Sequence, residues 1–460
     1  MTSRHFYTKL TPCLSSISPL TTSRSSLFNV VSHQFQLPLI ASNLVQQKRG
    51  GTAKPKITKK QTPSKPKGGF KRIQKGKMKG GTGEAEETVS GSIGEKNSEF
   101  YKPLPAVLLK DMLPDVFMDE NIGKIFKFPD EIIPKLGTFK LPPVLERELS
   151  LFPVLSLAVR KKSVELIKMI ESTSETPSLK TRVILSGKLG AGKSSLLLQA
   201  VNYALLKEWI VIYISDAIKY VNSTHPYVKD EAKNEFIQPT LASELCKQIK
   251  SVNGEILERI PLKNGCKIGN VVLKEHDNVS NLLDIGINNI YEAQNAFETF
   301  MNEIGNNSMH PVLLAVDAIN AFYTVSEYTD LDDTCMEPFR LSLPRVILEY
   351  FSGKRDLTFG STVGALSHIN KRYISKPLEF ALGMIEASPW KQYSPGILEY
   401  TRGLVNFDVP EYTKDEAKGV MDYYHETKII NRPHDQMFER YYTSANGNPK
   451  KFYLSCCREL

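Results

Sequence analysis

Acidic residues are absent from the first 83 positions of this 460-residue chain. Of its 59 Lys and Arg residues, 16 lie in that stretch, so residues 84–460 carry 43 of them against all 50 Asp and Glu. The formal net charge of +9 therefore combines an N-terminal segment at +16 with a remainder at −7. This distribution excludes a uniformly basic folded body and assigns the basic character to one segment.

The six cysteines form no C-x-x-C pair, and no His stands at metal-ligand spacing. The sequence therefore lacks a zinc framework, and its cysteine usage favours a reducing compartment. Cys456 and Cys457 are interpreted as two small buried thiols, because a bridge between neighbours would be strained. No apolar run approaches the roughly 18 residues that cross a bilayer, so no membrane insertion is predicted. A chain of this length predicts two or three folded units.

Residues 1–49 are rich in Ser and Thr and combine scattered Arg and Lys with interleaved apolar residues. This composition is typical of a mitochondrial presequence, and we predict one over 1–49. A disordered tail that merely lacks acids is the alternative. A secretory signal fits less well because no continuous apolar stretch follows the first cations.

Residues 50–99 are predicted to be a disordered basic linker, since Lys, Gly and Pro dominate its first 34 positions, 50–83. A run of cations of this kind binds RNA phosphates, and Phe70 offers a ring on which a base can stack. A solvated linker without a ligand is the alternative. A basic run carries no sequence-specific readout in either case.

The segment TRVILSGKLGAGKSSLLLQ, residues 181–199, matches the phosphate-loop pattern G-x-x-x-x-G-K-[ST] between a buried strand and a helix. The predicted nucleotide-binding residues are Gly187, Lys188, Leu189, Gly190, Ala191, Gly192, Lys193, Ser194 and Ser195. Glycines allow backbone amides to converge on phosphate oxygens, and the helix N-terminus adds partial positive charge. Lys193 is expected to reach the β and γ phosphates, and the Ser194 hydroxyl to coordinate Mg²⁺. The motif predicts binding of a purine nucleotide, GTP, GDP or ATP, with Mg²⁺.

A second apolar run, Val312 to Val316, is followed at once by Asp317, which we interpret as the Walker B carboxylate that holds Mg²⁺ through water. The alternative is an Asp that only caps the next turn. A third run, STVGALSH, ends in Ser367 and His368, and Ser367 can hydrogen-bond the γ phosphate if that strand flanks the loop strand on its other side.

Position 318 is Ala, where many ATPases carry the Glu that polarises water. Slow hydrolysis or none is therefore predicted, unless a residue such as Asn320 positions the attacking water.

Residues 100–175 are predicted to form an irregular, proline-rich extension followed by an amphipathic helix that includes Leu157, 176–400 the nucleotide-binding domain, and 401–460 a helical lid. In the lid, Thr413 and Glu416 stand at capping-box spacing, and Asn448 and Pro449 begin a last helix. Six cations are predicted either to reach phosphate or to be solvated. The alternative to a ligand contact is a basic turn for Arg160, Lys161 and Lys162, and exposed helix charge for Lys450, Lys451 and Arg458.

The segments RKKSVELIKMIEST, GKLGAGKS, WIVIYISDA and VLLAVDAIN, in this order and spacing, resemble the death-associated protein 3 family of the small subunit of the mitochondrial ribosome. The resemblance covers about residues 100–460 and looks like that of a fungal member. It implies an α/β fold, an AAA-like P-loop NTPase domain with a parallel sheet flanked by helices, and a bound purine nucleotide. It also implies a location in the mitochondrial matrix, on the head of the small subunit, with ribosomal RNA and neighbouring ribosomal proteins as partners. The family often has Gly where this chain has Ala318.

The resemblance predicts a structural component of the mitochondrial ribosome that supports translation and holds a nucleotide. Two other classes stay open from the sequence: an active mitochondrial ATPase or GTPase switch, and an apoptosis-type signalling module of related architecture.

Overall fold

The computed structural model describes residues 107–231, 234–330, 332–386, 390, 392–431 and 433–457. The predicted presequence at 1–49, the linker at 50–99 and Arg458 lie outside these residues. The boundaries proposed for the domains stay predictions.

The secondary structure alternates strands and helices through most of the described chain. Strands β1 to β11 are Ile125–Lys127, Ser156–Ala158, Arg182–Ser186, Ile210–Ile214, Val228–Asp230, Glu235–Ile237, Cys266–Ile268, Val271–Leu273, Val312–Asp317, Gly360–Ala365 and Val405–Asp408. Helices α1 to α13 are Ile133–Phe139, Pro143–Leu149, Lys161–Glu171, Lys193–Leu206, Pro239–Leu257, Ser280–Asn288, Ala293–Gly305, Ser342–Ser352, Lys376–Ala381, Pro395–Glu399, Lys414–Glu426, Asp435–Ala445 and Pro449–Cys457. Short 3-10 turns occur between them.

The central sheet has five strands in the order β11-β3-β10-β9-β4, and all four neighbouring pairs are parallel. The predicted parallel sheet flanked by helices is confirmed. Ser367 and His368 follow β10, which lies between β3 and β9. The condition stated for a Ser367 contact, that this strand flank β3 on the side away from β9, is therefore not met. β9, the strand that ends in Asp317, is separated from β3 by β10, while β11 covers the other edge of β3.

The two faces of the sheet bury alternate residues of each strand, as the period of two in a strand requires. In β3, Ile184 packs with the cluster that contains α5 to α8, whereas Val183 and Leu185 pack with α3, α4 and the extension before them. Both sides of the sheet are thus covered, which explains why its strands read as continuous apolar runs.

The extension before the sheet is packed onto the core by Met112 and other apolar side chains, and Asn202 of α4 donates to the Met112 carbonyl at 2.9 Å. The predicted amphipathic helix is α3, which begins at Lys161; the prediction that Leu157 belongs to it was wrong, because Leu157 lies in β2 and pairs with Phe126. Apolar residues three or four apart are typical of a helix, but Leu157 is part of the β1–β2 strand pair instead.

The predicted capping box and the predicted N-cap of the last helix are confirmed. Thr413 and Glu416 cap α11 reciprocally, and the Asn448 carbonyl oxygen Oδ1 accepts from Lys451 N at 3.2 Å at the start of α13. Helices α11 to α13 share an apolar cluster that includes buried Cys456, with Cys457 half-buried beside it, and neither cysteine forms a disulfide bond. Across the described residues, every helix is too short or too polar to span a bilayer.

Candidate functional site

The predicted phosphate loop, residues 187–195, connects the carboxyl end of β3 to the first turn of α4. Its glycines are required by geometry at two positions in particular. Gly187 has φ +130°, and a Cβ there would press on the Val409 carbonyl. Gly190 has φ +81°, and a Cβ there would lie 2.7 Å from Lys450 Cβ. Any side chain at these positions would strain the backbone and collide with the C-terminal segment.

Two carbonyls of the loop are bound by side chains from elsewhere in the chain. The carbonyl of Leu189 accepts from Asn448 Nδ2 at 3.0 Å, and that of Ala191 accepts from Arg160 Nη1 at 2.7 Å. Because the N–H and C=O of a trans peptide point in opposite directions, the amides of Gly190 and Gly192 point away from these donors. Together with the α4 N-terminus, they form a set of donors suited to an anion.

Lys193 is the buried cation of the loop and is only 7% exposed. Its Nζ donates to the carbonyls of Gly187 at 2.9 Å and Lys188 at 2.8 Å. Burial lowers its pKa to about 8, although Asp317 and Asp408 act in the opposite direction. A buried ammonium held by neutral carbonyls gains much from a phosphate oxygen placed beside it.

Ser194 and Asp317 meet at the same edge of the sheet. Ala365 of β10 is in register with both Leu185 and Asp317, so the ends of β3 and β9 lie level. The Asp317 carboxylate accepts from Ala318 N at 2.8 Å through Oδ1. Burial raises the pKa of Asp317 to about 6, although the nearby Ser194 hydroxyl and the Ala318 amide lower it.

This hydroxyl and carboxylate are the hard oxygen ligands that Mg²⁺ takes beside phosphates and water. In the described part of the chain, no group of three or more His, Cys, Asp or Glu side chains could hold a metal by itself. The donor set therefore fits a magnesium ion that a nucleotide's phosphates complete, and it fits poorly an ion held by the protein alone.

The side chain of Asn320 contacts the backbone that follows β10. Its Nδ2 donates to the carbonyls of Ser367 and Tyr373 at 2.9 and 2.6 Å, and its Oδ1 accepts from Ser367 N at 2.7 Å. The Asn320 amide is thus engaged by backbone and fixes the turn after β10. The alternative that it positions the attacking water stays a prediction.

His368, which follows that turn, lines the same cavity as Lys193 and Asp317. Its Nε2 lies 3.8 Å from Glu379 Oε1, and its buried Nδ1 has no hydrogen-bond partner among the described residues. Burial is the largest cause that lowers the pKa of His368, and Lys193 adds to it. Ser367 also lines the cavity, as the prediction for a γ-phosphate contact requires.

Among the predicted flanking cations, Arg160 is not part of a solvated turn. It is 3% exposed and pairs with Glu416, while Lys161 beside it is exposed. Lys162 pairs with Glu165 at 2.6 Å on the same helix. The sequence pattern gave no sign of this difference, since the three cations are adjacent.

The other end of the cavity, whose volume is about 330 Å³, is aromatic. The ring centroid of Phe152 lies 5.9 Å from that of Tyr424 and 6.4 Å from that of Tyr453. These rings come from segments far apart in the chain. Lys450, one of the predicted cations, borders this part and pairs with Glu148 at 2.8 Å. Flat apolar walls with a polar rim suit a purine base.

Two site features were missed from the sequence for different reasons. The aromatic wall had no local signal, because its rings join only in the fold. Asp216 had a local signal, because it follows the apolar strand β4 almost at once. In the structure it lines the cavity, and burial raises its pKa. An acid after a second apolar strand could have been recognised by the reasoning applied to Asp317.

Comparison with known proteins places these features in a family. The family model described as mitochondrial ribosomal death-associated protein 3 matches residues 157–455. Small ribosomal subunit protein mS29 of Schizosaccharomyces pombe is 26% identical over 378 residues, covering 79% of this chain and 76% of that protein. Proteins of the same name from Neurospora crassa and Mus musculus are each 22% identical, covering 75% and 77% of this chain and 76% and 88% of theirs. The predicted resemblance is confirmed: the chain belongs to the mitochondrial ribosomal death-associated protein 3 family.

Proposed function

We propose that this chain holds a purine nucleoside triphosphate or diphosphate with Mg²⁺ as a structural ligand. The observation that carries the proposal is the meeting of Lys193, Ser194 and Asp317 at one sheet edge, beside a cavity with an aromatic end. As a member of its family, the chain is a protein of the small subunit of the mitochondrial ribosome, located in the matrix with ribosomal RNA and ribosomal proteins as partners. The predicted localisation is confirmed.

Each part of the site has a role in this proposal. The amides of Gly190 and Gly192 hold phosphate oxygens, and Lys193 leaves its carbonyl partners to reach the β and γ phosphates. The Ser194 hydroxyl and the Asp317 carboxylate hold Mg²⁺, which neutralises phosphate charge when it is bound. The base lies against Phe152 and Tyr424. GTP, GDP and ATP all satisfy this description.

Turnover of the bound triphosphate is expected to be slow. Ala318 has no group to accept a proton or orient water, and it is only 6% exposed. We expect full-length protein to hydrolyse ATP and GTP at well below the roughly 1 s⁻¹ of a typical enzyme. Release of phosphate under single-turnover conditions, from free protein and from isolated ribosomal small subunits, measures this directly. A hydrolysis rate near 1 s⁻¹ in either state would contradict the structural-ligand proposal and favour a nucleotide switch.

One observation favours the switch as the second candidate: His368 and Glu379 form a base with a carboxylate behind it at the edge of the cavity. If turnover is found, His368→Asn should abolish it, because Asn cannot take a proton from water. Retention of the rate in that variant would assign the base elsewhere.

The affinity for the nucleotide should depend on pH through Lys193. In the empty site its pKa is about 8, and bound phosphates raise it, so binding takes up a proton above pH 8. The affinity should therefore fall as the pH rises. Kd for Mg-ATP or Mg-GTP should increase by up to about tenfold between pH 8 and 9. Isothermal titration in buffers of different ionisation enthalpy measures both Kd and the proton. Lys207→Ala, at the other end of α4, should keep this slope, and a flat profile in both proteins would contradict the assignment.

Residues 50–83 are proposed to contact ribosomal RNA through their cations. Deleting them should weaken binding to small-subunit ribosomal RNA at low salt and reduce the slope of log K against log salt, because fewer counterions are released. Filter binding from 50 to 200 mM KCl compares the two proteins. An unchanged slope after deletion would show that the contacts come from the folded body.

A further inference from the structure

The phosphate loop and the end of β3 before it are bound by residues from the last fifth of the chain. Three contacts illustrate this: Val409 N donates to Ser186 O at 2.9 Å, Asn448 Nδ2 to Leu189 O at 3.0 Å, and Lys450 N to Gly190 O at 3.2 Å. These donors reach the loop across more than 200 residues of sequence. They hold carbonyls that a free loop would leave to water.

The next carbonyl of the loop, that of Ala191, is held by Arg160, which is itself anchored to the C-terminal segment. Arg160 Nη2 donates to the Pro410 carbonyl at 2.7 Å, and its Nε donates to Glu416 Oε2 at 3.3 Å. The guanidinium lies 4.8 Å from the centre of the Tyr412 ring. One buried side chain thus connects the loop to the start of α11.

The fit between the two parts is too close for either to move alone. At Gly190, Asn448 Oδ1 and Lys450 Cβ stand within 2.9 Å of where a Cβ would be. A shift of the loop that reoriented its amides would break these contacts or drive backbone into α13. Packed interfaces of this kind respond in discrete steps.

We propose that Arg160, Glu416 and Asn448 are positioning residues, here called the loop clamp, through which α11 and α13 hold the phosphate loop in its anion-binding shape. Because coupling between two parts is reciprocal, a nucleotide on the loop then stabilises the C-terminal helices, and loosening those helices weakens nucleotide binding. The proposal rests on the proposed nucleotide site. It adds that the C-terminal helices sense occupancy of that site.

The test separates the clamp contact of Asn448 from its helix cap. Asn448→Ser keeps a hydroxyl that caps α13 but is too short to reach Leu189 O. The control is His434→Ala in the same segment, which removes the cap of α12, where His434 accepts from Met437 N at 3.1 Å. Because Asn448→Ser loses one hydrogen bond to the loop, we expect it to raise Kd for Mg-ATP and Mg-GTP by about fivefold. His434→Ala should change Kd by less than about twofold.

Hydrogen exchange of the full chain supplies the second readout. Without nucleotide, the amides of Gly190 and Gly192 should exchange faster in Asn448→Ser than in the wild type and in His434→Ala. With Mg-ATP or Mg-GTP, α13 should gain protection in the wild type and lose most of that gain in Asn448→Ser. A variant that was only less stable would exchange faster in both states while keeping the gain.

The outcomes separate the two proposals. Equal Kd and equal exchange in wild type and Asn448→Ser would overturn the clamp and leave the nucleotide site intact. A wild type that binds neither nucleotide would overturn the proposed function, and the exchange of the loop amides without ligand would then decide whether Asn448 positions the loop.

Discussion

Lys193→Ala is expected to lower the affinity for Mg-ATP or Mg-GTP by about 100-fold, since charge-assisted contacts to two phosphates contribute roughly 3 kcal/mol. Lys193 is the buried cation of the loop, whereas Lys188 is exposed and pairs with Glu411. Titration of the purified protein measures Kd, and analysis of nucleotide released on denaturation measures what it retains from the cell.

The same substitution should not destabilise the empty protein. Burial lowers the pKa of Lys193 to about 8, so its ammonium is an unfavourable charge in the folded state at neutral pH. Lys207→Ala, which removes an exposed charge at the other end of α4, should retain nucleotide like the wild type. Nucleotide retained by Lys193→Ala at the wild-type ratio would count against a phosphate role for the loop.

Glu416→Ala should lower the free energy of unfolding by about 3–5 kcal/mol, the cost of leaving a buried charge without its partner. Its carboxylate is 2% exposed and accepts from Arg160 Nε, Lys161 N and Thr413 N. The change removes all three hydrogen bonds and leaves the guanidinium of Arg160 without its ion-pair partner. Urea unfolding, with the m-value compared between variants, gives the free energy.

Glu439→Ala is the matched control for that measurement. Glu439 is half-exposed and pairs with Lys414 at 2.8 Å on the surface of the same helical segment, so its loss should cost less than about 1 kcal/mol. Similar losses in both variants would mean that the Arg160–Glu416 pair contributes no more than a surface ion pair.

The parts of the fold that the sequence predicted are those with local signals. β3, α4 and β9 lie within a residue or two of the expected bounds, because apolar runs, a glycine loop and a terminal Asp all act over short distances. The position of β10 between β3 and β9 was not predictable in the same way, since strand order depends on crossovers that leave no local mark.

The environment of Arg160 illustrates the same limit at the site. Its partner Glu416 is 256 residues away, and the capping-box spacing that identified Glu416 accounts for only part of what that carboxylate does. Nothing in the basic triplet from Arg160 to Lys162 distinguishes the buried guanidinium from its neighbours. Ala318 is a further example: its φ of +55° is a left-handed conformation that favours glycine, and the apolar run before it does not predict this.

The position of β11 beside β3 affects the order in which parts of the protein fold. Until residues 405–408 are available, β3 is an edge strand with unpaired backbone groups, and until Asn448 is available the loop after it lacks its hydrogen bond to that side chain. Contacts of such long sequence separation form late in folding. The loop is encoded in the first half of the chain, yet it reaches its final shape among the last elements, so nucleotide capture would report that nearly the whole chain has been imported and folded.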